Sequence, residues 1–136
     1  MCKVNSSLYS HKLAISRRES GGQTHWIPNT DVYLSNGHLV VKVELAGMRR
    51  EDLELTVEGN RLMIRGQRPD GCRGAAKCKF LVMEINYGSF ECVIEVPSGF
   101  DLSQANAAYQ NGFLRVDVPE AILSTSEPIA VPISEE

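Results

Sequence analysis

The amino-acid sequence predicts an all-β fold, an antiparallel sandwich or barrel, and three observations carry that prediction. Apolar residues recur at every second position in several short runs, the period of a strand with one buried face. Gly, Asn and Pro interrupt those runs where a strand must turn or stop. No long stretch shows the apolar period of about 3.6 residues that marks an amphipathic helix, so helices are minor and a layered α/β fold is excluded.

Taken in order, residues 1–27 show neither period, and Ser6, Ser7, Ser10, Ser20, Gly21 and Gly22 punctuate them. They read as a mobile arm, residues 1–25, ahead of a domain that starts near Trp26 and runs to residue 120. In residues 38–45, Leu39, Val41, Val43 and Leu45 share one face, opposite His38, Lys42 and Glu44, with Val40 the apolar exception. Leu53, Leu55 and Val57 alternate with Glu54, Thr56 and Glu58, Gly59-Asn60 intervenes, and Leu62 and Ile64 alternate with Arg61, Met63 and Arg65. That pair predicts a hairpin, because Gly and Asn tolerate the positive φ of tight turns. Phe90, Cys92, Ile94 and Val96 form the next inward face and Pro97 ends it; Leu114, Val116 and Val118 repeat the pattern before Pro119. Residues 67–79, Q-R-P-D-G-C-R-G-A-A-K-C-K, are a long polar connection into the apolar run 80–85, and loops of that length are functional or mobile.

Residues 121–136 form an extension. In an extended chain Ile129, Val131 and Ile133 project to one side, and Pro128 and Pro132 keep their neighbours out of the helical region. Two destinations are open for this triplet: insertion into an apolar groove along a sheet edge, or cover for its own domain.

Composition narrows the function. At 136 residues and a net charge of −3 the chain is one folding domain with tails, neither two enzyme domains nor a disordered acidic solvator. The first 25 residues carry a net +3 and the remainder −6; four cations without interleaved aromatics do not make a nucleic-acid surface. With no apolar span of membrane length and no apolar signal segment at the N-terminus, the expected compartment is the cytosol. Four cysteines in such a chain are expected to be reduced.

No motif supplies a catalytic site. The phosphate-cradling, dinucleotide and nucleophile-elbow patterns are absent. Two of the three histidines lie in the arm, which cannot hold a base in place. No enzyme, cofactor or metal is therefore expected. Cys72 and Cys78 stand among Arg73, Lys77 and Lys79, whose charge would favour thiolate. Their five-residue separation and lack of nearby His make a poor zinc site, so two ordinary thiols are expected, with redox sensing the rival. Cys92 reads as a small buried hydrophobe.

Several segments then resemble one family. Residues 107–114, A-A-Y-Q-N-G-F-L, followed by R-V-D-V-P, are similar to the A-x-x-x-x-G-x-L signature that closes the α-crystallin domain of small heat shock proteins. Trp26-Ile27-Pro28 with Asp31-Val32-Tyr33 resembles that domain's opening strand, and Val43 to Met48 with Glu51-Asp52-Leu53 resembles a strand, its A-G loop and the next strand. Residues 87–97 resemble its Y-G-x-F segment and L-P ending, and the tail is similar to its I-x-I motif through Val131 and Ile133 or Ile129 and Val131.

The resemblance, spanning about residues 26–133, implies an immunoglobulin-like antiparallel β-sandwich. It implies a homodimer, higher homo-oligomers joined through the tail, and a holdase that caps unfolding clients without ATP, nucleic acid or membrane. By the same analogy the tail's groove lies between the strand of Leu53, Leu55 and Val57 and the strand of Ala107 and Tyr109, while Phe80, Leu81, Val82 and Met83 form a strand exchanged between two chains. The chain departs from the pattern at Cys92 and at Ile85, where the family usually has arginine, so dimer contacts resting on those cations do not carry over. Its short polar arm implies smaller assemblies or weaker client binding. The rival binding class is a co-chaperone or adaptor built on the related CS-domain sandwich; the other rival is a thiol redox or metal protein using Cys72 and Cys78.

Overall fold

A computed structural model of the chain describes residues 15–16, 19–20, 23–72, 78–122 and 130–135. Three two-residue strands come first: β1 (Ile15–Ser16), β2 (Glu19–Ser20) and β3 (Gln23–Thr24). The longer strands are β4 (Thr30–Ser35), β5 (His38–Glu44), β6 (Leu53–Glu58), β7 (Arg61–Arg68), β8 (Gly88–Glu95), β9 (Asn106–Gln110) and β10 (Phe113–Val118). They form two antiparallel sheets, β1-β8-β7-β6 and β4-β5-β10-β9, while β2 and β3 pair with each other. The all-β expectation holds: among the described residues the only helical turns are short 3-10 pieces at Arg50–Asp52 and Leu102–Gln104.

The period-two faces become the core. Leu39, Val41, Val43 and Leu45 are at most 1% exposed and meet Leu62, Ile64, Phe90, Cys92 and Ile94 from the opposite sheet. Each fully buried aliphatic side chain contributes about 1.5–3 kcal/mol of transfer free energy, so this interdigitated layer is what holds the sheets together. Val40, Met63 and Val93 are buried although the alternation aims them outward. Met63 sits opposite Val93 in the ladder, and the Arg65 guanidinium bonds to the Met63 sulfur and pairs with Glu91 at 3.4 Å. A long cation thus lies along the outer face of the sheet, its stem covering apolar surface.

Two hairpins escape the alternation argument. Asn36-Gly37 joins β4 to β5, and Asn111-Gly112 joins β9 to β10, all four residues at positive φ. Asn-Gly at both central positions is the chemistry of a two-residue turn that matches strand twist. Periodicity also predicts no strand before Trp26, whereas β1 pairs Ile15 and Ser16 with Ile94 and Val93. That short ladder occupies backbone groups on the outer edge of β8 without needing an apolar repeat of its own.

Candidate functional site

The site begins with the position of two edge strands. β6 ends one sheet and β9 ends the other, and the gap between them is not closed. Leu55 lines it yet remains 36% exposed, and β9 borders it with Ala107, Ala108 and Tyr109. The result is an apolar groove of about 470 Å3 lined by Leu53, Leu55, Ala107, Ala108, Tyr109 and Leu114, with Arg50 at its rim. The Tyr109 hydroxyl donates to the Leu45 carbonyl and so holds the ring as a fixed wall. Arg50 is placed by a 3-10 turn that the Asp52 carboxylate caps, accepting from the Arg49 amide at 3.0 Å.

Of the groove residues expected from the sequence, Leu53, Leu55, Ala107 and Tyr109 come together here. Val57 instead lines an adjoining hollow of about 450 Å3 with Val96, Pro97, Phe100 and Leu102. Arg50, Ala108 and Leu114 line it as well, and only the polar stretch ahead of Leu53 hints at the first in the sequence. In the tail, Val131 and Ile133 are 80% and 93% exposed and do not line this chain's own groove, and Ile129 lies outside the described residues.

Phe80, Leu81, Val82 and Met83 form no strand within this chain and are 47%, 88%, 74% and 52% exposed. They follow an anchored loop base. The Arg68 guanidinium lies 4.3 Å from the Trp26 ring centre and 5.7 Å from that of Tyr87, with Nε donating to the Asn86 carbonyl at 2.7 Å and a second nitrogen to Ala46. Trp26 in turn donates through its indole to the Gly88 carbonyl and packs on Phe90. This clamp brings together both ends of the connection between β7 and β8, and the cation–π stacking it uses carries no short sequence signature.

Cys72 and Cys78 are both exposed. The Cys78 thiol beside Cys72 pushes its pKa up, with Asp70 a lesser cause. Arg73 and Lys77 lie outside the described residues, and among those described no group of three or more His, Cys, Asp or Glu side chains gathers as a metal would require. Cys92 is fully buried, with Thr30 Oγ1 3.8 Å from its sulfur, and burial pushes its thiol pKa up. No helix among the described residues is long and apolar enough to cross a membrane.

The sequence profile of the Hsp20/alpha crystallin family matches residues 31–134. The chain is similar to Small heat shock protein C2 of Rickettsia felis, 28% identical over 101 residues that cover 74% of this chain and 65% of that one. It is 33% identical over 96 residues to the 16.9 kDa class I heat shock protein 3 of Oryza sativa subsp. japonica, covering 70% and 64%. Among solved structures, heat shock protein 16.0 of Schizosaccharomyces pombe has a TM-score of 0.66 at 26% identity, over 79% of this chain and 77% of that one. The hspA protein of Xanthomonas axonopodis has a TM-score of 0.65 at 28% identity, over 72% and 97%. The matched part spans 58–65% of the length of the first curated relatives.

Proposed function

This chain belongs to the Hsp20/alpha crystallin family, and on that footing we propose that it is an ATP-independent, cytoplasmic holdase chaperone that assembles through its tail and caps partly unfolded proteins. Small heat shock proteins are non-enzymatic, so the family points away from an enzyme. The observation that carries the reading is the open groove between β6 and β9, apolar and left uncovered by the described residues.

The mechanism is competition for apolar surface. Covering about 300 Å2 of the groove with a tail from another subunit is worth about 7 kcal/mol at ~25 cal/mol per Å2. Ordering the tail and losing subunit freedom offset most of that, so the contact opens readily on warming. An opened groove, a free β6 edge and the exposed run from Phe80 to Met83 then meet the apolar segments and unpaired edges that unfolding proteins present. No proton transfer or nucleotide enters this cycle.

Light scattering of a heat-denatured client tests it: without ATP, a few-fold molar excess of this protein should suppress aggregation, and absence of protection overturns the holdase reading. A strictly monomeric chain indifferent to loss of residues 122–136 would favour an adaptor instead.

A further inference from the structure

We propose that Cys72 and Cys78 form a modification site, a dithiol that a peroxide converts into an intrachain disulfide, and that this bond holds the apolar run from Phe80 to Met83 close to its own domain. The second half rests on the reading that this run meets another copy of the chain.

Placement supplies the first step. Both thiols are exposed, and the two side chains stand within hydrogen-bonding reach of each other. A disulfide joins only cysteines whose side chains already face each other, and this pair meets that requirement. Cys92, fully buried in the core, takes no part. The backbone at Cys72 is held, because its amide donates to the Asp70 carboxylate at 2.9 Å. Two residues earlier Arg68 is fastened by the rings of Trp26 and Tyr87 and by the Ala46 and Asn86 carbonyls.

The two sulfurs have different parts. The Cys78 side chain and, to a lesser degree, Asp70 favour the protonated form of Cys72, whereas Cys78 is followed in the chain by the cation Lys79. Cys78 is thus the attacking sulfur and Cys72 the resolving one. As thiolate, Cys78 attacks one oxygen of hydrogen peroxide; the O–O bond breaks, hydroxide leaves and Cys78 becomes a sulfenic acid. The Cys72 sulfur then attacks that sulfur, the S–S bond forms, the S–O bond breaks, and the hydroxyl leaves as water with the Cys72 proton. The proton that Cys78 released neutralises the hydroxide, so the thiols lose two electrons and the peroxide ends as two waters. A small dithiol restores both thiols by exchange.

Chain length sets the consequence. Cys72 and residues 84–87 line one cleft of about 680 Å3 together with Arg68, and Arg68 Nε donates to the Asn86 carbonyl at 2.7 Å, so both ends of the connection meet at one base. From Cys72 to Asn86 the chain advances 14 positions, and from Cys78 to Asn86 only 8. At ~3.3 Å per residue, a segment that leaves this base and returns reaches out about 23 Å over the longer path and about 13 Å over the shorter. Phe80 to Met83 lie within the shorter path, so the disulfide takes from them about 10 Å of reach towards a second copy.

The test treats the full chain with hydrogen peroxide, maps the products by peptide-resolved mass spectrometry and follows mass by size-exclusion chromatography with multi-angle scattering. Expected is an intrachain link between Cys72 and Cys78, one equivalent of peroxide removing both thiols and dithiothreitol restoring them. Cys72→Ser should stop at a Cys78 sulfenic acid that dimedone traps, while Cys78→Ser should leave Cys72 reduced; the reverse pattern overturns the assigned parts. Links to Cys2, links between chains, or oxidation of either sulfur without the bond overturn the site. The disulfide form should show a lower mass, as should the reduced Leu81→Asp, Val82→Asp variant. A mass that falls in the variant but not on disulfide formation overturns the loss of reach, and a mass unchanged in both overturns the reading that the run meets a second copy.

Discussion

At the scale of single residues, the cysteines show how position outweighs neighbouring sequence. Cys92 falls where the family pattern has an arginine, yet its side chain sits in the core opposite Ile64, where a thiol is tolerated as a small apolar group. Cys72 lies in a stretch rich in basic residues, but Cys78 and, to a lesser degree, Asp70 disfavour its thiolate. Since thiolate is the reactive form, alkylation of Cys72 by iodoacetamide at neutral pH should be slower than that of free cysteine and should rise until pH exceeds the raised pKa. In Cys78→Ser the midpoint should move down towards the ordinary thiol value; an unmoved midpoint in peptide-resolved mass spectrometry contradicts the assignment.

At the scale of elements, β7 shows what a strand owes to its neighbours. Gly66 interrupts its alternation because a Cβ there would stand 2.4 Å from the Asp52 carbonyl oxygen and 2.7 Å from the Phe90 ring. Gly66→Ala is expected to cost about 3 kcal/mol in chemical denaturation, through forced shifts of the turn before β6 and of a core aromatic. Gly71→Ala, where nothing lies within 4 Å, should stay within about 0.5 kcal/mol. The strands β5, β7, β8 and β10 were legible because each sends an every-second-residue apolar face into the core, even though Val40, Met63 and Val93 are buried on the other face and Gly66 interrupts β7. β4 and β9 carry a family resemblance but no clean period of their own: Tyr33 and Leu34 blur the alternation of one, and Asn-Ala-Ala-Tyr-Gln has too little apolar contrast in the other. The Asn-Gly turns that bound both were the local signal available for them.

At the scale of the molecule, the proposed assembly rests on exposed apolar surfaces. Phe80 to Met83 stand on a loop whose base is clamped by Arg68, Trp26 and Tyr87, so the run is presented away from its own core and is available to a second copy. Leu81→Asp together with Val82→Asp, both at positions more than 70% exposed, should leave domain stability within about 1 kcal/mol. The same pair should lower the mass seen by size-exclusion chromatography with multi-angle scattering; an unchanged mass removes this run from the proposed contact between copies.

The sequence by itself determined the β class, the inward face of the central strands and the absence of familiar catalytic motifs, because those follow from local periodicity and from residue chemistry that acts over a few positions. It also presented Leu53, Leu55 and Val57 as one apolar face. Only the tertiary structure decided that this face stays half open. Strand order is non-local: β6 becomes an edge because β7 is its one ladder partner among the described strands, and the facing edge happens to carry alanines at 107 and 108. The same apolar alternation in a central strand would have been core; at an edge with no partner among the described strands it lines an open apolar groove.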